Sequence, residues 1–315
     1  NIPKWVLSGE DLIHHANQLK VEMDSLASAI EWDSRGSDPV VIKAEINKDA
    51  SAKSHRKKIQ SLFSFKENNS LGMSSENTLM FKINSQVEIN NIRGKLNEPE
   101  NNSFSISGIE HIELFEPTIK IGSSEKDNYK VKLIDFQNYA SNQGAQRKFE
   151  NKLKEKDIQF TSTQYTKTLT VYNLKELSKT LLDSLQEEHI FDLAFEIEPM
   201  PIVKIELDTI DSERNVIFKQ PDENEKTVTV GVLDNGISRI GQLDPWIEGS
   251  RFSPYPSSAI LASHGTFVAG VITYGDELQG EDLVGAKNIK VFDAAIFPDT
   301  RYETLEEDEL IENIK

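Results

Sequence analysis

The 315-residue chain contains no cysteine. This absence excludes a disulfide framework and any metal site built on thiolates. The chain also has no apolar stretch long enough to cross a bilayer, and its N-terminus has no charged-then-apolar signal pattern. Its first residue is Asn1 rather than Met, which is compatible with removal of an upstream segment. From these absences we expect a cytoplasmic protein.

Basic residues are scarce relative to acidic ones. The sequence has 35 Lys plus Arg against 52 Asp plus Glu, a formal net charge of −17. Nucleic-acid binding needs a basic surface, and so does attraction to anionic lipids. We therefore predict neither a nucleic-acid partner nor a membrane partner, and we interpret the acidity as an aid to solubility.

The first region, residues 1–125, is predicted to be a mixed α+β domain of unknown role. No internal repeat of fixed period is visible, so we do not predict a second βαββαβ unit hidden here. Its basic cluster, Lys53 to Lys58, fits an acidic partner or, as we favour, a solvated face. We predict a helix at residues 9–30 and three strands at residues 39–46, 79–83 and 106–114. Two loops are predicted at residues 66–77 and 96–103.

The second region, residues 126–203, has a pattern that predicts a βαββαβ domain. Pro199 and Pro201 end its last strand. A charged linker then follows over residues 204–226, where the composition shifts. The six predicted elements are residues 129–134, 139–154, 158–162, 166–171, 174–185 and 190–197.

The third region, residues 227–315, begins with a run of β-formers that ends in Asp234. Such a run favours a buried parallel strand, and ligands of open α/β sheets bind at the carboxyl ends of their strands. Asp234-Asn235-Gly236 taken alone is equally an ordinary turn. The triplet gains meaning only from a second motif downstream of it.

This second motif comes thirty positions after the aspartate, at His264-Gly265-Thr266. We predict that Ser263 caps a helix here and that His264 lies on its first turn. Gly270 is unfavourable inside a helix, which indicates that another backbone comes close to it. The helix is predicted to end near Tyr274-Gly275.

An aspartate at a strand end and a histidine at a helix start satisfy one chemical need together. A serine hydroxyl is a poor nucleophile until an imidazole removes its proton. That imidazole needs its second nitrogen held by a buried carboxylate. A lone histidine at a helix start is more often structural, but the ordered pair of motifs favours catalysis.

These two motifs resemble the Asp and His motifs of the subtilisin-like serine proteases (subtilases). Residues 283–286 and the strand 289–297 resemble the next loop and core strand of that family, and 305–315 resembles its next helix. The resemblance covers about 227–315 and departs at Asn235, where the family usually has Ser or Thr. It implies an α/β fold with a partial subtilisin-like parallel sheet.

The resemblance also assigns roles. It implies that Asp234 orients His264, which acts as general base and then as general acid on a peptide or protein substrate. The family's oxyanion-hole Asn and nucleophilic Ser have no counterpart in residues 1–315, so we expect these residues by themselves to be inactive.

Further implications concern the other regions. Subtilase propeptides have a ferredoxin-like βαββαβ fold, precede the protease domain, and act as folding chaperone and inhibitor. Residues 126–203 resemble these propeptides in the order of their elements.

Some members of the family bind calcium after the Asp strand. Asp244 lies there, but no ligand cluster surrounds it, so we predict no cofactor, with calcium as the alternative. A long extension without a signal also resembles intracellular members that are associated with an AAA-type ATPase partner.

A different class of function remains open. The first 200 residues could recognise a partner, with the protease fold degenerate and serving as a regulatory or inhibitory module. Continuation of the reading frame into a Gly-Thr-Ser-type motif at a helix start favours the enzyme, and a frame that ends near Lys315 favours the binding module.

Overall fold

The computed structural model describes residues 2–30, 39–65, 68–205, 218–222, 226–280 and 288–315. These residues form eight α-helices and several sheets, which confirms the predicted α/β class at this level. Most of the predicted linker and the whole loop 283–286 lie outside the described residues. The chain divides into two compact units. Unit 1 comprises residues 1–118, 133–152 and 185–195, and unit 2 comprises residues 119–132, 153–184 and 196–315.

Unit 1 contains a four-stranded antiparallel sheet in the order β2-β3-β1-β4. The predicted first helix and the three predicted strands are all present. The elements are α1 (Gly9–Ala29), β1 (Val40–Ile46), α2 (Lys53–Gln60), β2 (Ser70–Ser75), β3 (Thr78–Ile83), α3 (Gln86–Leu96), α4 (Ser103–Ser107) and β4 (Ile109–Leu114).

Two predictions for unit 1 are wrong. The predicted loop 66–77 contains β2, although its Ser and Gly residues are poor strand formers, because pairing with β3 supplies its hydrogen bonds. The order β1-α2-β2-β3-α3-β4 is also a βαββαβ run, which no repeat in the sequence indicated.

The core of unit 1 lies between its sheet and its helices. Leu19 and Met23 of α1 have no exposed surface, and the rings of Phe63 and Phe81 stack with centroids 4.0 Å apart. The apolar residues of α1 recur at helical spacing, so one face of the helix enters this core.

A five-stranded sheet, in the order β5-β9-β6-β8-β7, contains the predicted βαββαβ elements. Strand β8 runs antiparallel to both β6 and β7. If the four strands of each βαββαβ run are numbered along the chain, both sheets have the order 2-3-1-4. The elements are β5 (Thr118–Ile119), β6 (Lys126–Leu133), α5 (Tyr139–Glu155), β7 (Phe160–Gln164), β8 (Thr170–Ser178), α6 (Lys179–Glu187) and β9 (Ala194–Pro199).

The predicted start of the helix 174–185 is wrong. Leu174 and Leu177 lie in β8, where they pair with Tyr129 and Asp127 of β6, and the helix starts at Lys179. Leucines three residues apart fit either a helix or an irregular strand. Pairing with β6 and β7 decides for the strand.

A three-stranded parallel sheet, in the order β11-β13-β12, dominates the C-terminal part of unit 2. Helix α7 covers one of its faces through Val232, Val291 and Ala269. On the other face Leu233 and Phe292 remain 49% and 38% exposed, so the strand expected to be buried throughout is buried on one side. The elements are β10 (Ile202–Val203), β11 (Val228–Asp234), β12 (Ile247–Phe252), α7 (Ser263–Gln279), β13 (Ile289–Ala295), β14 (Leu305–Glu306) and α8 (Glu307–Ile314).

Across the described ranges, every helix is too short or too polar to cross a membrane.

We expect Leu19→Ala to lower the free energy of unfolding of unit 1 by about 2–5 kcal/mol, because it opens a cavity in a closed core. Val21→Ala is the matched control on the same helix, since Val21 is 68% exposed. Urea unfolding followed by Trp5 fluorescence measures both variants, because Trp5 packs against this core. Equal effects of the two changes would contradict the packing of α1.

Candidate active site

Strand β11 places Asp234 at its carboxyl end, opposite Ala295 of β13. The side chain is 8% exposed. Its Oδ1 accepts a hydrogen bond from the backbone N–H of Asn235 at 2.7 Å, and the carbonyl of Asp234 accepts one from the N–H of Ile296 at 2.8 Å. A backbone N–H therefore fixes the carboxylate, and pairing with β13 fixes the main chain of the same residue.

The two predicted site residues come together. The Nδ1 atom of His264, on the first turn of α7, lies 2.6 Å from Oδ2 of Asp234. An ionised carboxylate only accepts hydrogen bonds, so Nδ1 is the donor in this contact, and in a neutral imidazole the lone pair is then on Nε2. The His264 side chain is 29% exposed, against 8% for Asp234. The pair thus joins a buried carboxylate to a partly accessible imidazole.

Asn235 links the strand to the helix. Its Oδ1 accepts a hydrogen bond from the backbone N–H of Gly265 at 3.0 Å. The first N–H groups of a helix have no partner within the helix, so this side chain satisfies one of them. The residue at which the sequence departs from the subtilase pattern therefore holds the start of the histidine helix.

Gly265 marks the closest approach of backbone to backbone at the site. A Cβ added there would clash with the carbonyl oxygen of Gly236 and lie 3.2 Å from Cβ of Asp234. Gly236 itself has φ +96°, a conformation that favours glycine. The close approach predicted at Gly270 is wrong, because a Cβ there meets nothing within 4 Å.

The boundaries of α7 differ from those predicted. Ala262, not Ser263, is the N-cap residue, and the Thr266 hydroxyl donates to the Ala262 carbonyl. The helix also continues past Gly275 to Gln279 and ends at Gly280, with φ +71°. Within this helix Tyr274 is anchored in the core, where its hydroxyl accepts a hydrogen bond from the indole N–H of Trp246 at 3.0 Å.

Two charged residues beside the pair were missed by sequence reasoning. Asp293 lies on β13 and is 1% exposed, and its Oδ2 accepts a hydrogen bond from Nε of Arg251 at 2.8 Å. Its Oδ1 accepts one from the backbone N–H of Ile237 at 3.1 Å. An aspartate inside the apolar run 289–297 is the signal that could have indicated it, since a buried carboxylate requires partners.

A second polar cluster surrounds the start of α8. Glu306 receives hydrogen bonds from Asn128 at 2.6 Å and from Lys175 at 2.8 Å, and Lys130 lies 2.6 Å from Glu307. Burial raises the pKa of Glu306, but the hydrogen bonds from Lys175 and two asparagines lower it more, so the net pKa is below its ordinary value. The first turn of this helix is acidic, with Glu307, Asp308 and Glu309, and a capping box joins Glu306 and Glu309.

Strand β10 pairs antiparallel with β14 beside this cluster. Ile202 lies opposite Glu306, and Val203 lies opposite Leu305. The N–H of Glu307 donates to the carbonyl of Pro201 at 3.0 Å. The segment after the βαββαβ run is therefore bound as a short extra strand.

Asp244, the residue considered as a calcium ligand, pairs with an arginine. Asp244 lies 3.3 Å from Nη1 of Arg239. In the ranges that the structure describes, no three His, Asp or Glu side chains come together as a metal-binding group.

The basic cluster of Lys53 to Lys58 forms most of α2, where the ammonium of Lys58 lies 4.4 Å from the ring centroid of Phe104.

Comparison with protein-family models, curated proteins and solved structures finds no match to the chain.

We expect Gly265→Ala to lower the free energy of unfolding of unit 2 by about 1–3 kcal/mol, because its methyl group enters occupied backbone space. Gly270→Ala is the matched control on the same helix and should raise that free energy by about 0.5–1 kcal/mol. Trp246 fluorescence during urea unfolding measures both variants in a chain whose other two tryptophans, Trp5 and Trp32, are replaced by Phe. Stabilisation by Gly265→Ala would contradict the close approach.

We expect the free energy of unfolding of unit 2 to decrease as the pH decreases, partly because of Glu306. Its lowered pKa means that the unfolded chain takes up the proton first, so the contribution of Glu306 is full above the ordinary glutamate pKa and is lost as pH falls through the folded value. Glu306→Gln should flatten the decline in unfolding free energy between about pH 6 and pH 3.

The control for this pH measurement is Glu312→Gln on the same helix, because Glu312 is 55% exposed and pairs with Lys315. An unchanged pH slope in Glu306→Gln, or an equal change in both variants, would show that the contacts of Glu306 do not contribute.

Proposed function

We propose that residues 227–315 are the first part of the catalytic domain of a subtilisin-like serine endopeptidase. Asp234 orients the imidazole, and His264 is the general base and then the general acid. The observation that carries this proposal is the 2.6 Å hydrogen bond between Nδ1 of His264 and Oδ2 of Asp234. It joins the end of a parallel strand to the start of a helix, as the Asp-then-His order requires.

The geometry supports a defined sequence of proton transfers. With Nδ1 held by Asp234, only Nε2 is left to take the proton of a serine hydroxyl as that oxygen attacks the peptide carbonyl. The buried carboxylate stabilises the imidazolium that forms, and Nε2 then protonates the leaving amine. Water repeats the cycle to hydrolyse the acyl-enzyme. We assign neither the serine nucleophile nor the oxyanion donors to any residue of 227–315.

We further propose that the βαββαβ run within 126–199 is a ferredoxin-like, propeptide-like module that acts on this catalytic domain. The strand order 2-3-1-4 supports the split βαβ plan. The hydrogen bonds from Asn128, Lys130 and Lys175 to the start of α8 support docking. Strand β10 pairs with β14 in a separate two-stranded ladder, so β10 would compete with an extended peptide substrate for pairing with β14.

A non-catalytic role is the second candidate, and the fold of unit 1 favours it. That unit has its own core and its own βαββαβ run, yet it contributes no residue to the Asp234–His264 pair. Such a unit fits recognition of a protein partner, including an AAA-type ATPase. In this case the protease fold would serve as a regulatory scaffold.

Activity-based labelling separates the two candidates. We expect the product of the whole reading frame that encodes these residues to react with a fluorophosphonate probe at a serine and to hydrolyse an unstructured protein. His264→Ala should abolish both, and Asp234→Asn should lower kcat by about 10⁴-fold, because the imidazole then loses its correct tautomer.

His189→Ala is the matched control, because His189 forms a histidine–aspartate contact with Asp192 but is 74% exposed. Full activity in His264→Ala would contradict the assigned base. Absence of labelling in the wild-type protein would favour the regulatory scaffold.

A further inference from the structure

The position of His264 depends on the loop after Asp234. Thr266, two residues beyond His264, accepts a hydrogen bond through its Oγ1 from the backbone N–H of Ser238 at 2.8 Å. Asn235 holds the N–H of Gly265, and the Gly236 carbonyl lies against that glycine. The first turn of α7 is therefore attached to residues 235–238 through the two residues that follow the histidine.

This loop is itself held at the backbone of one residue, Ile237. The N–H of Ile237 donates to Oδ1 of Asp293, and the carbonyl of Ile237 accepts from Nη2 of Arg251. Nε of the same guanidinium donates to Oδ2 of Asp293. We call these two side chains, Arg251 and Asp293, the Ile237 clamp, because together they satisfy both polar groups of that residue.

The clamp also touches the turn at Gly236. A Cβ added to Gly236 would lie 3.2 Å from Cζ of Arg251, so the guanidinium packs against the glycine whose carbonyl faces α7. Arg251 comes from β12 and Asp293 from β13, which pair in parallel. The clamp therefore transmits the position of two core strands to the loop.

We propose that Arg251 and Asp293 are positioning residues that hold His264 against Asp234 through the backbone N–H and carbonyl of Ile237. This inference rests on the proposed function, and neither residue touches the reacting groups. A buried ion pair contributes little net stability compared with an apolar pair of similar volume, so its expected benefit is geometric. A displacement of about 1 Å in a catalytic group can lower the rate by about 100-fold, which sets the scale of the effect.

The first test uses proton NMR on the 315-residue chain and needs no activity. The proton between Nδ1 of His264 and the carboxylate of Asp234 should give a far-downfield signal that Asp234→Asn removes. Arg251→Gln combined with Asp293→Asn removes both charges together, so no unpaired charge stays buried. We expect this double variant to shift that signal upfield or to broaden it through exchange with water.

Arg239→Gln is the matched control. Arg239 also donates to one carboxylate, Asp244, and to one carbonyl, that of Gly249, and neither of these contacts involves Ile237. Its substitution should leave the signal unchanged. An unchanged signal in the double variant, with the same rate of exchange as in the wild type, would overturn the inference.

Loss of folding is distinguished from loss of positioning by Trp246 fluorescence and by hydrogen exchange at Ile237. If the double variant does not fold, Asp293→Asn alone is the second variant, because its amide oxygen still accepts from Ile237 and the charge left on Arg251 is 28% exposed. We expect a smaller shift of the signal in the same direction, and no shift would overturn the inference.

In the whole reading frame we expect the double variant to lower kcat by about 10- to 100-fold with little change in KM. A rise in KM with unchanged kcat would contradict positioning. If the NMR result is as expected but no serine is labelled in the wild-type protein, the proposed function is wrong and the structural role of the clamp stands.

Discussion

The closeness of two glycine backbones is the constraint on which the candidate site depends. Because Gly265 has no side chain, the first turn of α7 can lie against the Gly236 carbonyl at the end of β11. Only at this separation can a histidine on the helix reach an aspartate on the strand with a 2.6 Å hydrogen bond. The chemistry of the site is thus limited by main-chain packing before any side chain is chosen.

The Asp234–His264 pair could be predicted because its signals are local. Each residue lies in a short motif whose neighbours, a β-forming run or small helical residues, indicate its place in the fold. Arg251 and Asp293 could not be found in this way. Their contact joins two strands about forty residues apart in the chain, and neither residue is part of a recognisable motif. A buried charge within an apolar run signals that a partner exists, but not which one.

The fold shows the same division between local and non-local information. Helix α1 and strand β1 follow from periodicity alone, and both were predicted closely. Strand β2 is rich in serine and glycine and exists because β3 supplies its hydrogen bonds. Leu174 and Leu177 have helical spacing but are held in β8 by two neighbouring strands. Where local preference and pairing conflict, pairing decides.

The parallel pairing of β11 with β13 has a kinetic consequence. It brings Val228 beside Ile289, residues far apart in the chain, whereas the hairpin of β2 and β3 joins near neighbours. Non-local pairing requires a large loss of chain entropy before any contact stabilises it, so it forms slowly. Asp234 lies on β11 and Asp293 lies on β13. Strand β13 is also synthesised after both βαββαβ runs, and folding during synthesis generally begins at the N-terminal side. Nascent chains would therefore pass through a period with folded βαββαβ sheets and no aligned Asp234–His264 pair.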